Sequence, residues 1–198
     1  MLATMTLGLL VSDENGIYLA IESQGLLGPE KVVGTRTPWP ITSKIIELQA
    51  APTVVVLASG GLDHWNDVAR KYSSQPSPTA AAREIVRLLN VNMDAWNQAF
   101  GLACGYEDPV PKCYRINRPQ GVEAAEFVSE ETLGIVQALG EEEHAEISRR
   151  NAQRAIGEKV PPLKALVDAI EQRFPGNNIR PPIDVRTIRF AAGSSHGH

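Results

Sequence analysis

Near its amino terminus the chain reads MLATMTLGLL, with threonines at positions 4 and 6. Thr4 is either a β-branched residue filling a strand or a nucleophile uncovered by removal of Met1–Ala3. The second reading needs that removal, because the hydroxyl would attack while the free α-amine of the same residue takes the proton. Such an amine titrates near pH 8 (roughly), so it can accept a proton at neutral pH. Taken singly, the other polar residues have plainer readings. Lys44 reads as a strand-end lysine with its stem over apolar surface, and Glu22 as a solvated strand-end charge. Ser59-Gly60-Gly61 suits any tight strand-to-helix turn. His64 and His144 stand at helix starts without a serine or cysteine arrangement and are given no chemistry.

Composition narrows the classes. A chain of 198 residues, 43% hydrophobic and 21% charged, has the balance of a soluble globular protein with one sizeable core. One domain is expected over 1–190, with 191–198 a flexible tail that carries His196 and His198. The net charge of −4, with no basic run, argues against a nucleic-acid partner. No run of about 18 apolar residues suggests a membrane span, and no leader pattern is seen, so a cytoplasmic location is expected. Cys104 and Cys113 are too few for a disulfide framework or the usual zinc spacings. They could face each other across a hairpin, but buried reduced thiols are the preferred reading. No cofactor and no metal is expected.

The elements that must position these residues follow from periodicity. Strands are predicted at 6–12 and 17–23 around "DENG", where Asn15-Gly16 is a hairpin signal. A Gly- and Pro-rich stretch follows, with an extended piece at Lys31–Val33. "SKIIELQ" and "TVVVLAS" form a second strand pair, the latter apolar enough to be buried on both faces. Leu62, Trp65, Val68, Ala69 and Tyr72 then line one side of a helix. A second helix is capped by Ser77 with Pro78 in its first turn, and Ala81, Ile85, Leu88 and Leu89 form its apolar side. "AFGLACGY" and "KCYRIN" form a hairpin, and strands are predicted near 124–128 and 132–139. Two helices follow. The first starts acidic and ends at Arg154 and Gly157, and the second places Leu163, Leu166, Val167 and Ile170 on one face. "IDVRTIRF" is the last strand. Strands, two helices, strands, two helices and a strand fit a four-layer αββα sandwich of the α+β class.

In that order, "TMTLG", the glycine hairpin, "LAIES", "SKIIEL" and "LASGGLDHW" resemble the amino-terminal motifs of proteasome β-type subunits and bacterial proteasome-like peptidases. These are N-terminal nucleophile (Ntn) hydrolases. The motifs cover about the first 70 residues, and element order alone covers the rest. Laid on "TMTLG", the resemblance implies Thr4 as the nucleophile, freed by cleavage after Ala3. It implies Lys44 as the lysine that tunes the amine and holds the hydroxyl, and Glu22 as its carboxylate where the family has aspartate. Ser59 or Gly60 would supply the oxyanion-binding N–H. Two family supports have no match: "ALGEEE" stands in place of a Gly-Ser-Gly, and "RFPGNN" in place of an Asp with a following Ser-Gly.

What the resemblance implies is a threonine peptidase acting on peptides or unfolded proteins inside a homo-oligomeric ring, with an ATP-dependent unfoldase as a possible supplier. Ring contacts are expected on the exposed faces of the helix pairs, with Trp65 or Tyr72 at their edges. The alternative is a catalytically inactive proteasome-like subunit serving as a scaffold or binding module. A third option is an amide hydrolase for small molecules on the same fold.

Overall fold

The computed structural model describes residues 6–22, 43–60, 62–92, 99–107, 110–118, 124–127, 136–139, 142–173 and 183–189. Thr4, Lys31–Val33, Gly61 and the tail at 191–198 lie outside them. The described elements run β1 (Gly8–Asp13), β2 (Gly16–Glu22), β3 (Ile45–Ala50), β4 (Thr53–Gly60), α1 (Leu62–Lys71) and α2 (Pro78–Asn92). They continue with β5 (Ala99–Glu107), β6 (Val110–Arg118), β7 (Ala124–Phe127), β8 (Gln137–Leu139), α3 (Glu142–Gly157), α4 (Pro162–Glu171) and β9 (Ile183–Arg189). Among the described residues this is a mixed α+β fold with two antiparallel sheets and four helices. One sheet has the order β8-β1-β2-β9 and the other β3-β4-β5-β6-β7.

The hairpin signal near the start is realised as a two-residue turn. Asp13 Oδ1 accepts from Asn15 N at 2.8 Å and Gly16 N at 3.1 Å, so the aspartate closes the turn that Glu14 and Asn15 make. From Asp13↔Gly16 to Gly8↔Ile21 the β1–β2 ladder has no slip. Gly16 is required by close approach: a Cβ there would meet Ile188 O of β9 at 2.8 Å.

Three apolar clusters hold the elements. Leu9, Val11 and Ala20 of the first sheet pack with Ala152, Leu166 and Ile170 of α3 and α4. Leu10, Leu19 and Ile21 meet Val55, Leu57 and Leu102 of the second sheet. Val56, Ala58 and Ala103 on the other face of that sheet pack with Trp65, Val68, Ile85 and Leu89 of α1 and α2. Alternate residues of one strand therefore serve different clusters, which is the period-2 geometry of a pleated strand. Val54–Ala58 are all 0% exposed, as an uninterrupted apolar strand requires.

The helices follow their boundaries in sequence. Ser77 Oγ accepts from Ala80 N at 3.2 Å, and Pro78 opens α2. α3 has Glu142 and Glu143 in its first turn and Arg154 in its last. The strand expected at 132–139 is described only as Gln137–Leu139. Ala69, placed on the inner side of α1, is exposed.

Trp65 corrects the expectation of a contact at a helix edge. It is 1% exposed, its indole N–H donates to Ser59 O at 3.0 Å, and its ring lies against Gly101, where a Cβ would come within 2.8 Å. The space left by that glycine draws the ring inward. Tyr72 is half-buried, and its hydroxyl donates to Gln49 Oε1 at 2.6 Å. Gln49 also accepts from Gln75 N and donates to the carbonyls of Pro52 and Gln75, clamping the β3–β4 turn to the loop between α1 and α2.

Cys104 and Cys113 are directly opposite each other in the β5–β6 ladder, both free and both buried. Burial raises the Cys113 thiol to about 12 and pushes Cys104 well up. The same desolvation raises the Tyr72 and Tyr106 phenols to about 12, with the Glu84 carboxylate adding to the effect at Tyr72. A group whose pKa is raised on folding adds stability below its unfolded pKa and loses it as pH rises through the folded value. Alkali should therefore destabilise the fold across about pH 10 to 12. In a spectrophotometric titration, Tyr72→Phe and Tyr106→Phe should each remove one late-ionising phenolate.

Candidate active site

The first strand pair and the start of β3 bring three polar side chains together in the interior. Lys44 Nζ donates to Glu22 Oε1 at 2.6 Å and to Thr6 Oγ1 at 3.2 Å. Lys44, Glu22 and Thr6 are 3%, 1% and 6% exposed, so this is no solvated strand-end pair. Each is fixed by its backbone. Glu22 closes β2, and its N–H donates to Leu7 O at 2.9 Å, one step past the end of the β1–β2 ladder. Lys44 precedes β3, and its carbonyl accepts from Ala58 N at 2.8 Å, which ties it to β4. Thr6 precedes Leu7 and so comes to the same end of the hairpin.

Ser59 and Gly60 occupy the last two positions of β4, opposite Phe100 and Ala99. Ser59 is buried and adjoins Ala58, the residue bound to Lys44. The turn therefore reaches the lysine through one backbone hydrogen bond. Of the residues singled out in the sequence, Lys44 and Glu22 are brought into direct contact and Ser59 and Gly60 into their neighbourhood. Thr4 lies outside the described residues. Thr6, which the sequence reading left without a role, is the threonine described at the lysine.

The arrangement has a definite electrostatic capacity. Glu22 balances the lysine's charge in a water-poor site, and the ammonium is directed at a hydroxyl oxygen. An ammonium so placed favours negative charge developing on that oxygen. Such a pair is poorly explained by stability alone, since apolar residues of similar volume often replace a buried ion pair without loss. Among the described residues, no group of three or more His, Cys, Asp or Glu is placed to hold a metal ion. No described helix is long and apolar enough to cross a membrane.

Comparison with solved structures finds the same arrangement of elements elsewhere. Anbu (ancestral beta-subunit) from Yersinia bercovieri superposes with a TM-score of 0.60 at 13% sequence identity, covering 92% of this chain and 81% of that one. The chain has a proteasome-related fold. At that identity the likeness is one of fold, and the side chains at the Lys44 site must be argued from their own geometry. No family model matches the sequence, and no curated protein matches it.

Within this proteasome-related fold, the stability of the buried pair can be separated from its chemistry. Removing one partner of a buried ion pair strands the other charge, at a cost of about 3–5 kcal/mol. Glu22→Leu should therefore lower unfolding free energy by about that amount. The Glu22→Leu/Lys44→Met double variant should recover most of the loss in denaturant titrations. A double variant as unstable as the single one would mean the pair holds the fold.

Proposed function

We propose that the chain is a threonine-type amide hydrolase acting on peptides, with Lys44 and Glu22 as the charged centre of its active site. The observation that carries this reading is the buried Lys44 ammonium, held by Glu22 at 2.6 Å and directed at a threonine hydroxyl at 3.2 Å. Its setting, a proteasome-related fold, supports it. An N-terminal threonine in such a site supplies both nucleophile and base, and the lysine charge stabilises the alkoxide that forms as the hydroxyl proton leaves. The sequence motif assigns the nucleophile to Thr4 and an oxyanion donor to Ser59 or Gly60, next to the lysine's backbone partner.

The three apolar clusters support an αββα layering, with α3 and α4 over one sheet and α1 and α2 over the other, as a single domain over 1–190. The fold likeness and the sequence motifs favour assembly into a homo-oligomeric ring that encloses the sites. Closed cyclic assemblies arise from repeated heterologous contacts. With Trp65 buried, such contacts fall to other residues. Light scattering at tens of micromolar should give a mass several times that of the 21.5 kDa chain; a monomer would remove the ring.

The second reading, a scaffold subunit without activity, is favoured by one observation: Thr6 is 6% exposed and follows residues that block its amine as an amide. The two are separated by the double variant above, compared with the unmodified chain once denaturant titration has shown it folded. Against a mixture of fluorogenic peptides, the unmodified chain should hydrolyse at least one. Glu22→Leu/Lys44→Met should be slower by about 100-fold or more. Equal hydrolysis by both would remove Lys44 and Glu22 from the reaction, and no hydrolysis by the unmodified chain would decide for the scaffold.

A further inference from the structure

We propose that Thr6, rather than Thr4, carries the attacking hydroxyl, and that the active chain begins at Thr6 after hydrolysis of the Met5–Thr6 bond. This rests on the hydrolase reading above and names the residue at its centre. The hairpin register supports it. Pairing runs without slip from Asp13↔Gly16 to Gly8↔Ile21, and Glu22 N continues it by donating to Leu7 O at 2.9 Å. Thr6 is the next residue out from the partner of Glu22, and its Oγ1 is already 3.2 Å from the ammonium that Glu22 holds.

Of the two threonines, Thr6 is the one whose hydroxyl is described at the ammonium, at 3.2 Å. The lysine itself is anchored, with its carbonyl bound to Ala58 N at 2.8 Å and its side chain buried.

The chemistry balances with water as the one co-reactant. Hydrolysis of the Met5–Thr6 bond consumes one water, leaves Met5 as a carboxylate and frees the Thr6 α-amine. It also removes the group bonded to the nitrogen of a residue that is otherwise nearly inaccessible. On a peptide substrate, Thr6 Oγ then bonds to the carbonyl carbon while its proton passes to the Thr6 amine. Collapse of the tetrahedral intermediate breaks the C–N bond, and the departing amine takes that proton. A water then hydrolyses the ester, releasing the acid and restoring the hydroxyl. Throughout, the Lys44 ammonium donates to Oγ and favours its negative charge.

Intact-mass spectrometry of the full chain, expressed with no amino-terminal tag, should find the active species beginning at Thr6. Thr6→Ala should lose peptide hydrolysis by at least about 1,000-fold, with thermal unfolding close to that of the unmodified chain. Thr6→Ser, which keeps the hydroxyl, should retain the same amino terminus and measurable hydrolysis even if Thr6→Ala folds poorly. An active chain that begins at Thr4 would overturn Thr6 and leave the hydrolase reading standing. An active chain with Met1 in place would also overturn it. No hydrolysis by the unmodified chain, whatever its first residue, would remove both.

Discussion

The registration of β1 on β2 is the constraint on which the rest of the arrangement depends. It is set at the turn, where one carboxylate oxygen of Asp13 accepts from two successive backbone N–H groups. A slip of one residue would exchange the two faces of a strand. Leu9 and Val11 would leave α3 and α4, and Leu10 would leave the second sheet. The same slip would carry Thr6 off the lysine. Packing and chemistry are thus specified together, with the apolar clusters enforcing a register whose polar result appears at the far end of the hairpin.

The second sheet contributes the lysine from a different kind of anchor. β4 is buried on both faces, and its strand positions are set by apolar contacts to the other sheet and to α1 and α2. The backbone bond from Ala58 to Lys44 transmits that position to the start of β3. Glu22 and Lys44 come from different sheets, so their contact is a tertiary one. It requires the inter-sheet core to be formed. Their meeting offsets part of the cost of burying both charges, each stabilising the other where water cannot.

Much of this was legible in the sequence, for identifiable reasons. The inward face predicted for α2, Ala81, Ile85, Leu88 and Leu89, is buried throughout, because a 3.6-residue period leaves little choice of face. The continuous apolar run of β4 announced a strand covered on both sides. Trp65 was harder: its helical position was evident, but the inward path of its ring depends on Gly101, a residue of another strand. Gln49 was not read at all. A bulge between Glu47 and Gln49 re-aims the strand, and the glutamine becomes a buried clamp through partners distant in sequence. For Thr6 the signal was available. Counting back from the turn places Leu7 across from Glu22, whereas matching "TMTLG" to a motif draws attention to its first threonine.

The open edges of the two sheets have a consequence for how copies of this chain can meet. Among the described residues, β9 and β3 are outermost on one side of their sheets, and Arg186 of β9 pairs with Glu47 of β3. A free strand edge is an invitation to templated growth, and charged side chains on it are a common deterrent. Here each edge carries a charge that is already satisfied by the other. A foreign strand arriving at either would meet these charged side chains beside the backbone groups it must pair with. Charge on β3 and β9 disfavours fibre-like self-addition at this flank, which leaves the helical surfaces as the ground on which orderly association can be selected.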